Sequence, residues 1–478
     1  IGQDLSIYLP SDFDPAGSWP VLFVCDFSGD TNRALRYFQG AAELNGYILA
    51  ASRKLVDSTQ LTDGVLRFAR SLEFLHGILP LDKDRLYAAG IGKGGEFAGL
   101  MPNLVRAVSG VLTAGAGPPN TELLNARDPF DYVALLSRSD YRYPNMRLAE
   151  EPLSRKRLDH HQLYYNGSGG LPDEDLLGLG VATLTLLAIK AGVIPTDSVL
   201  VRETLQGYRS RSDVMRQQGD VLVAYNMLEQ AIDLFDGLAD TGDLKDAQRS
   251  LRRTSAYRTR KREAANLALK EEILRQDYAY YLEEDVLNFN LDNLGWWRHQ
   301  LETIAKYKAG ASPEDQRLGL RLEGYLRALA DDYIRIARTA GEQPDDDALV
   351  LLHMLKTLID PEVPANYLTV ISLASKYDDF GTALFYLEEL LKTGYADRQR
   401  LYDLEHTALL RISPEFNALV EKYLQKFGIK TTFVSLTDMG QWEAAITSKT
   451  KLLFLETPSN PLCEVANVVH LAELAHNH

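Results

Sequence analysis

Residues 85–104 read RLYAAGIGKGGEFAGLMPNL, and their reading decides the fold of the N-terminal region. An apolar run at Leu86–Ala89 enters a turn rich in glycine (Gly90, Gly92, Gly94, Gly95) and leaves as a helical pattern that reaches Leu104. Strand, sharp turn and helix form the repeating unit of sheets whose strands run parallel. The same grammar extends over residues 1–205, where LSIYLP (5–10), PVLFVCDFSG (20–29), NGYILAAS (45–52), DRLYAAG (84–90), AVSGVLTAG (107–115) and HHQLYYNG (160–167) read as strands. Several are continuously apolar, as strands covered on both faces are. Between them, Leu61–Leu79 places Leu66, Ala69, Leu72 and Leu75 at three- and four-residue spacing, which predicts a crossover helix. The expectation for residues 1–205 is a parallel sheet covered by helices.

The glycine turn can be framed in two ways. Gly90, Gly92 and Gly95 satisfy G-x-G-x-x-G, the pattern that cradles a dinucleotide phosphate at a helix N-terminus. That pattern normally follows the first strand and needs an acidic residue about 20 residues later. Here other strands precede it, and the next run ends VLTAGAG (111–117). The second frame fits better. Gly90, Ile91, Gly92, Lys93 and Gly94 occupy the five positions of the G-x-S-x-G elbow, with glycine at the serine position.

The wider segment resembles bacterial esterase-like α/β-hydrolases, whose sequences read strand, DxxRxYxxGxSGG, helix. Asp84, Arg85, Tyr87, Gly90, Gly94, Gly95 and Ala98 match that pattern. The resemblance runs upstream through YLPSDFDPAGSWPVLFVCDFSGD (8–30), where it implies an oxyanion-hole N–H in the loop after Asp26. It also implies that Asp140, in SDYRYPNMR (139–147), takes the place of a triad acid. Gly169, in YYNGSGGLPD (164–173), then stands where the histidine belongs. No histidine lies between His161 and His299. A triad needs a nucleophile and an imidazole to take its proton, and glycine at Gly92 and Gly169 supplies neither. His160 and His161 alternate faces of a strand before the turn and read as structural, and Lys93 reads as a solvated residue at a helix start rather than an amine nucleophile.

From residue 210 to 423 helical periodicity takes over and predicts an all-helical domain, with Asp345–Asp347 as an N-terminal cap after Pro344. The segment ANYLTVISLASKYDDFGTALFYLEELLKTG (365–394) resembles a tetratricopeptide repeat, with Tyr367, Val370, Ile371, Ala374, Ala383, Leu387 and Leu390 at core positions and KYDDF as the turn. Such arrays bind a peptide or protein or pack on neighbours, and the alternative is a plain helical appendage. Eight basic residues between Lys245 and Arg262, interleaved with Tyr257, read as a solvated face paired with glutamates rather than a nucleic-acid patch. Of Trp296 and Trp297, about 100° apart on a helix, one at least belongs in a core.

Residues 424–478 return to strand, helix, strand, helix. The stretch from Phe427 is similar to part of the Cys/Met-metabolism pyridoxal-phosphate enzymes, the O-succinylhomoserine sulfhydrylases above all, through F-G-I (427–429), the Trp442 helix and T-K-L-L-F-x-E-T-P-S-N-P (450–461). Asn467 stands where those enzymes usually have aspartate. The resemblance implies that Glu456 and Asn460 lie on the cofactor side of a strand end. It also implies that the phosphate loop and stacking aromatic come before this stretch and the Schiff-base lysine after it, so no cofactor is expected unless those residues come from elsewhere. Two strands and two helices bury too little to fold alone.

The 478 residues correspond to about three domains. A composition 45% hydrophobic and 24% charged excludes disorder and coiled coil. The apolar run Leu177–Ile189 is cut by Lys190 before it reaches the ~20 residues of a membrane span. A net charge of -15 disfavours nucleic acid as a partner. Cys25 and Cys463 are too few for a cysteine zinc site, and no metal is expected. The chain begins at Ile1, without an initiator Met or a signal sequence, which leaves open whether an N-terminal segment was removed and leaves periplasm and cytoplasm of a bacterium both open. The expected function is a non-catalytic hydrolase-like domain with a helical scaffold, acting as a binding module. The alternatives are an esterase that works without serine and a chain related to O-succinylhomoserine sulfhydrylase.

Overall fold

A computed structural model describes residues 4–56, 60–117, 129–167, 171–339, 341, 343–426, 432–455, 457 and 465–477. The chain folds as two compact units, one of Ile1–Asp277 with Thr303–Tyr325, the other of Tyr278–Glu302 with Leu326–His478.

The first unit is built on β1 (Leu5–Tyr8), β2 (Trp19–Cys25), β3 (Ile48–Ser52), β4 (Leu81–Ile91), β5 (Gly110–Ala114), β6 (Asp131–Ser137) and β7 (His160–Tyr165). They form one sheet in the order β1-β3-β2-β4-β5-β6-β7. All pairs are parallel except β1 with β3, so the sheet is mixed rather than wholly parallel. β6, DYVALLS, was not among the expected strands; its continuous apolar run reads equally as buried helix, and only pairing with β5 and β7 settles it.

Alternation along the strands feeds two cores. Leu22, Val24, Tyr87 and Ala89 face α1 (Thr31–Asn45) and α6 (Glu174–Lys190), whereas Val21, Phe23, Leu86 and Ala88 face α2 (Leu61–Ile78) and α3 (Lys93–Leu104). On α2 the buried face is Phe68, Leu72 and Leu75; Leu66, expected to be on it, is 48% exposed. The longest apolar run of the sequence becomes α6, buried from Leu176 to Ile189 apart from Leu179. No helix among the described residues is long and apolar enough to cross a membrane. The short helices α4 (Tyr143–Leu148) and α5 (Glu150–Arg155) lie between β6 and β7.

The unit continues past residue 205. In α7 (Ser198–Gln217), α8 (Val221–Leu234) and α9 (Gly242–Arg253), the residues Val201, Tyr208, Val223, Ala224, Met227, Ala231, Leu244 and Leu251 share the core of α1 and α6. The reason is the sheet edge. β7 exposes backbone N–H groups that need partners, and α8 supplies them: Gln162 N–H donates to Gln230 Oε1 at 3.0 Å and Tyr164 N–H to Asn226 Oδ1 at 3.0 Å. After α9 come α10 (Ser255–Asn288), α11 (Leu294–Lys308) and α12 (Pro313–Thr339).

In the second unit, Trp297 is buried and its indole N–H donates to Asp285 at 2.7 Å, while Trp296 is half-buried. Asp345 caps α13 (Asp346–Ile359) by accepting from Ala348 N–H at 3.0 Å. α14 (Pro364–Lys376) and α15 (Phe380–Lys392) form a hairpin in which Tyr367, Val370, Ile371, Ala374, Ala383, Leu387 and Leu390 are all buried. The short helices α16 (Arg398–Tyr402) and α17 (Ala408–Arg411) and then α18 (Pro414–Lys426) follow. Beyond them are α19 (Met439–Ala445) and α20 (Val468–His476), clasped around Trp442 and Leu471. The strands expected at 429–436 and 451–461 do not form among described residues 432–455. A lone strand has no partner for its N–H and C=O groups, and no neighbouring strand is described there.

Candidate functional site

β4 runs into α3 through Gly92, whose backbone (φ 52°, ψ -121°) lies in a region that residues with a Cβ rarely adopt. The glycines around it are there for close packing. A Cβ on Gly90 would lie 2.3 Å from the Gly94 carbonyl, and one on Gly95 2.7 Å from the Ala116 Cβ. A Cβ on Gly92 would meet no atom within 4 Å. The turn thus has the sharp strand-to-helix geometry that a nucleophile elbow requires, with an open tip and no side chain on it. It is held by Gly92 N–H donating to Ala114 at 2.9 Å and by Glu96 N–H donating to Gly92 at 2.9 Å.

Asp140 is brought to the same edge of the sheet by the loop after β6. Its Oδ2 lies 3.5 Å from where a Cβ on Gly115, the residue following β5, would sit. Its partner is Arg142, whose N–H donates to Oδ1 at 2.8 Å and whose guanidinium lies 3.8 Å away. Arg142 in turn reaches back to Glu96 on the first turn of α3 at 2.9 Å. Burial pushes the Asp140 carboxyl above the ordinary aspartate range, and the Arg142 N–H and charge pull the other way. The histidines of the neighbouring strand β7 are paired with other groups and not with this acid.

The histidines lie elsewhere. His161 is buried on β7 toward its amino end, with Nδ1 at 3.2 Å from Gln230 and Nε2 at 3.9 Å from Asp233. Burial pushes its pKa down to about 4, so the ring is neutral near pH 7. His160 Nδ1 pairs with the Leu158 carbonyl at 2.9 Å. Lys93 is exposed at the first position of α3, without the apolar enclosure that activates a lysine nucleophile. Cys25 is buried, and burial pushes its thiol up, away from thiolate chemistry. Gly169, Glu456, Asn460 and Cys463 lie outside the described residues. Among the described residues no cluster of His, Cys, Asp or Glu is arranged to hold a metal.

What the sequence did not reveal is the ionic network beside Asp140. Arg138 is 3% exposed and pairs with Glu314 at 2.7 Å and Asp220 at 3.4 Å. Arg317 bridges the same two carboxylates and donates to Asn166 at 2.9 Å. Arg321 grips buried Glu271 through two nitrogens and donates to the Arg138 carbonyl at 2.7 Å, and Arg275 donates to the Tyr141 carbonyl at 3.1 Å. α10 and α12 are thereby pinned onto the loop that carries Asp140. Arg138 and Glu314 are 176 residues apart, and no local pattern signals their pairing.

A family described as Cys/Met metabolism PLP-dependent enzyme matches residues 415–478. That match is a short one. O-succinylhomoserine sulfhydrylase of Pseudomonas aeruginosa is 48% identical over 59 residues, 12% of this chain and 15% of that protein. The Mycobacterium tuberculosis protein of the same name is 42% identical over 53 residues, 11% of this chain and 13% of its own. Cystathionine gamma-lyase of Rattus norvegicus is 37% identical over 62 residues, 13% of this chain and 16% of that enzyme. The chain therefore spans about 15% of the length of the curated relatives it matches. Similar solved structures include a fungal esterase of Rhizomucor miehei (11% identity, TM-score 0.34, 39% of this chain and 80% of that one) and esterase B of Lactobacillus rhamnosis (13%, 0.32, 40% and 84%).

The described part of the matched segment offers no cradle for pyridoxal phosphate. Lys451–Leu455, which leads toward Glu456, is not a strand, and Leu452 and Phe454 are 75% and 65% exposed.

Proposed function

We propose that this chain is a binding or scaffold module whose first unit is a hydrolase-like α/β fold without catalysis. The observation that carries the reading is the elbow itself: its strained turn and close-packed glycines are intact while Gly92 puts no nucleophile on the tip. The surroundings of Asp140 support it, because its partner is Arg142 while His160 and His161 pair with other groups. The arginine network supports it further, since it uses the same edge of the sheet to anchor helices. The helical second unit, with its α14–α15 hairpin, is the part we expect to meet a peptide or protein. The test is hydrolysis of p-nitrophenyl esters by the full chain and by Lys93→Ala. Both should match the buffer rate, and hydrolysis lost in the variant would overturn the proposal.

A second reading follows from the 48% identity to O-succinylhomoserine sulfhydrylase: the chain belongs to a pyridoxal-phosphate protein of Cys/Met metabolism. When bound, that cofactor would supply an electron sink for amino-acid chemistry. The exposed Leu452 and Phe454 weigh against a formed site. Adding pyridoxal phosphate should leave the visible spectrum as the sum of the components. A new protein-bound band, removed by borohydride, would favour this reading instead.

A further inference from the structure

α8, α9 and α10 border an open groove of about 1080 Å³ in the first unit. Its walls carry Arg249, Arg252, Arg253, Arg258, Lys261 and Arg262, and no carboxylate lines it. The bend at Thr254 brings them together: Thr254 ends α9 and its hydroxyl accepts from Tyr257 N–H at 3.2 Å to start α10, so cations from both helices open onto one space.

Five of the six cations are not spent on neighbouring acids. Arg249 pairs with Asp246 at 3.0 Å, on the exposed face. Among the described residues no ion pair engages Arg252, Arg253, Arg258, Lys261 or Arg262. The sequence reading of a helix face paired with glutamates therefore holds only in part. Glu229 on α8 interacts electrostatically with Lys261 and the tyrosine pair, but it is a single charge against the five cations that no ion pair engages. Like charges held this close repel, and a bound multivalent anion removes the repulsion.

The floor of the groove narrows the ligand. Tyr225 and Tyr257 pack against each other with ring centres 4.8 Å apart, and Tyr257 is only 4% exposed. Tyr257 presents no open face for a base to stack on, which is what single-stranded nucleic acids require, and Tyr225 is half-buried against it. A long polyanion would also meet the net charge of -15, whereas a compact one feels the local arginines. Guanidinium forks match phosphate oxygens two at a time. We propose that the groove binds a small, multiply phosphorylated molecule.

Calorimetric titration of the full chain with sodium tripolyphosphate, inorganic phosphate and a single-stranded oligothymidine tests this at low and moderate salt. Tripolyphosphate should bind more tightly than monophosphate and weaken as salt rises. Arg252→Ala/Arg258→Ala and, separately, Arg262→Glu should each weaken it by about tenfold or more. Lys83→Ala, an exposed lysine on β4, should leave it unchanged. All of these side chains are exposed, so circular dichroism should match the parent. No binding at low salt would overturn the proposal, as would equal loss in Lys83→Ala. Oligothymidine binding more tightly than tripolyphosphate, with the same dependence on the arginines, would replace it with nucleic acid.

Discussion

A Cβ atom on Gly94 would lie 2.1 Å from the carbonyl oxygen of Cys25, so the elbow helix and the end of β2 touch backbone to backbone. At Gly92, two residues away, a Cβ would touch nothing. The two glycines are required for different reasons, and the difference is measurable. Gly94→Ala forces backbone apart and should cost about 3 kcal/mol or more. Gly92→Ala only takes on an unfavourable φ and should cost about 1 kcal/mol. Urea unfolding of both variants checks the order, and a larger loss for Gly92→Ala would contradict the packing argument.

Placing a hydroxyl at position 92 should not create catalysis. Gly92→Ser places an oxygen on an open tip, yet Asp140 is already held by Arg142 and His161 faces α8. We expect p-nitrophenyl acetate hydrolysis within about twofold of the parent, because serine without a base contributes little. A burst of nitrophenol from the variant would mean that a proton acceptor stands near the tip.

Breaking the ion network should be costly. Arg138→Met leaves Asp220 and Glu314 buried with one cation fewer, and losing one partner of a buried pair costs about 3–5 kcal/mol. Arg317 still contacts both carboxylates, so the lower end, about 3 kcal/mol, is expected. Thermal unfolding measures the loss. A variant as stable as the parent would show that Arg317 satisfies both acids alone.

Asp131 on β6 sets a pH dependence. Burial, and then repulsion from Asp159, raises its pKa to about 7, well above the unfolded value of about 3.9. A raised carboxyl favours its neutral form in the fold, so its contribution is full at low pH and is lost as pH rises from about 4 through 7. Asp131→Asn removes the ionisation. The variant should gain melting temperature over the parent at about pH 8 and little at about pH 5. An equal difference at both would rule out this ionisation.

Much of the first unit was legible because its signals are local. Apolar runs such as PVLFVCDFSG and the glycine turn report on their own neighbourhoods, and β2, β4 and α3 formed as read. DYVALLS escaped because a buried strand and a buried helix look alike over seven residues. Leu66 was placed on a buried face that proved to be Phe68, Leu72 and Leu75, since spacing leaves the rotation of a helix against its sheet undecided. KLLFL (451–455) failed in the opposite sense. Its composition is that of a strand, and composition cannot supply a partner.

The amino-acid sequence by itself determined that Gly92 carries no nucleophile, because a missing side chain is a covalent fact that no fold can repair. Only the tertiary structure decided that Arg142 holds Asp140, that Asn226 and Gln230 finish the edge of β7, and that Arg138 meets Glu314. The last two link residues separated by between 62 and 176 positions, so they exist only once the chain has closed on itself and burial has made each unpaired donor or charge expensive.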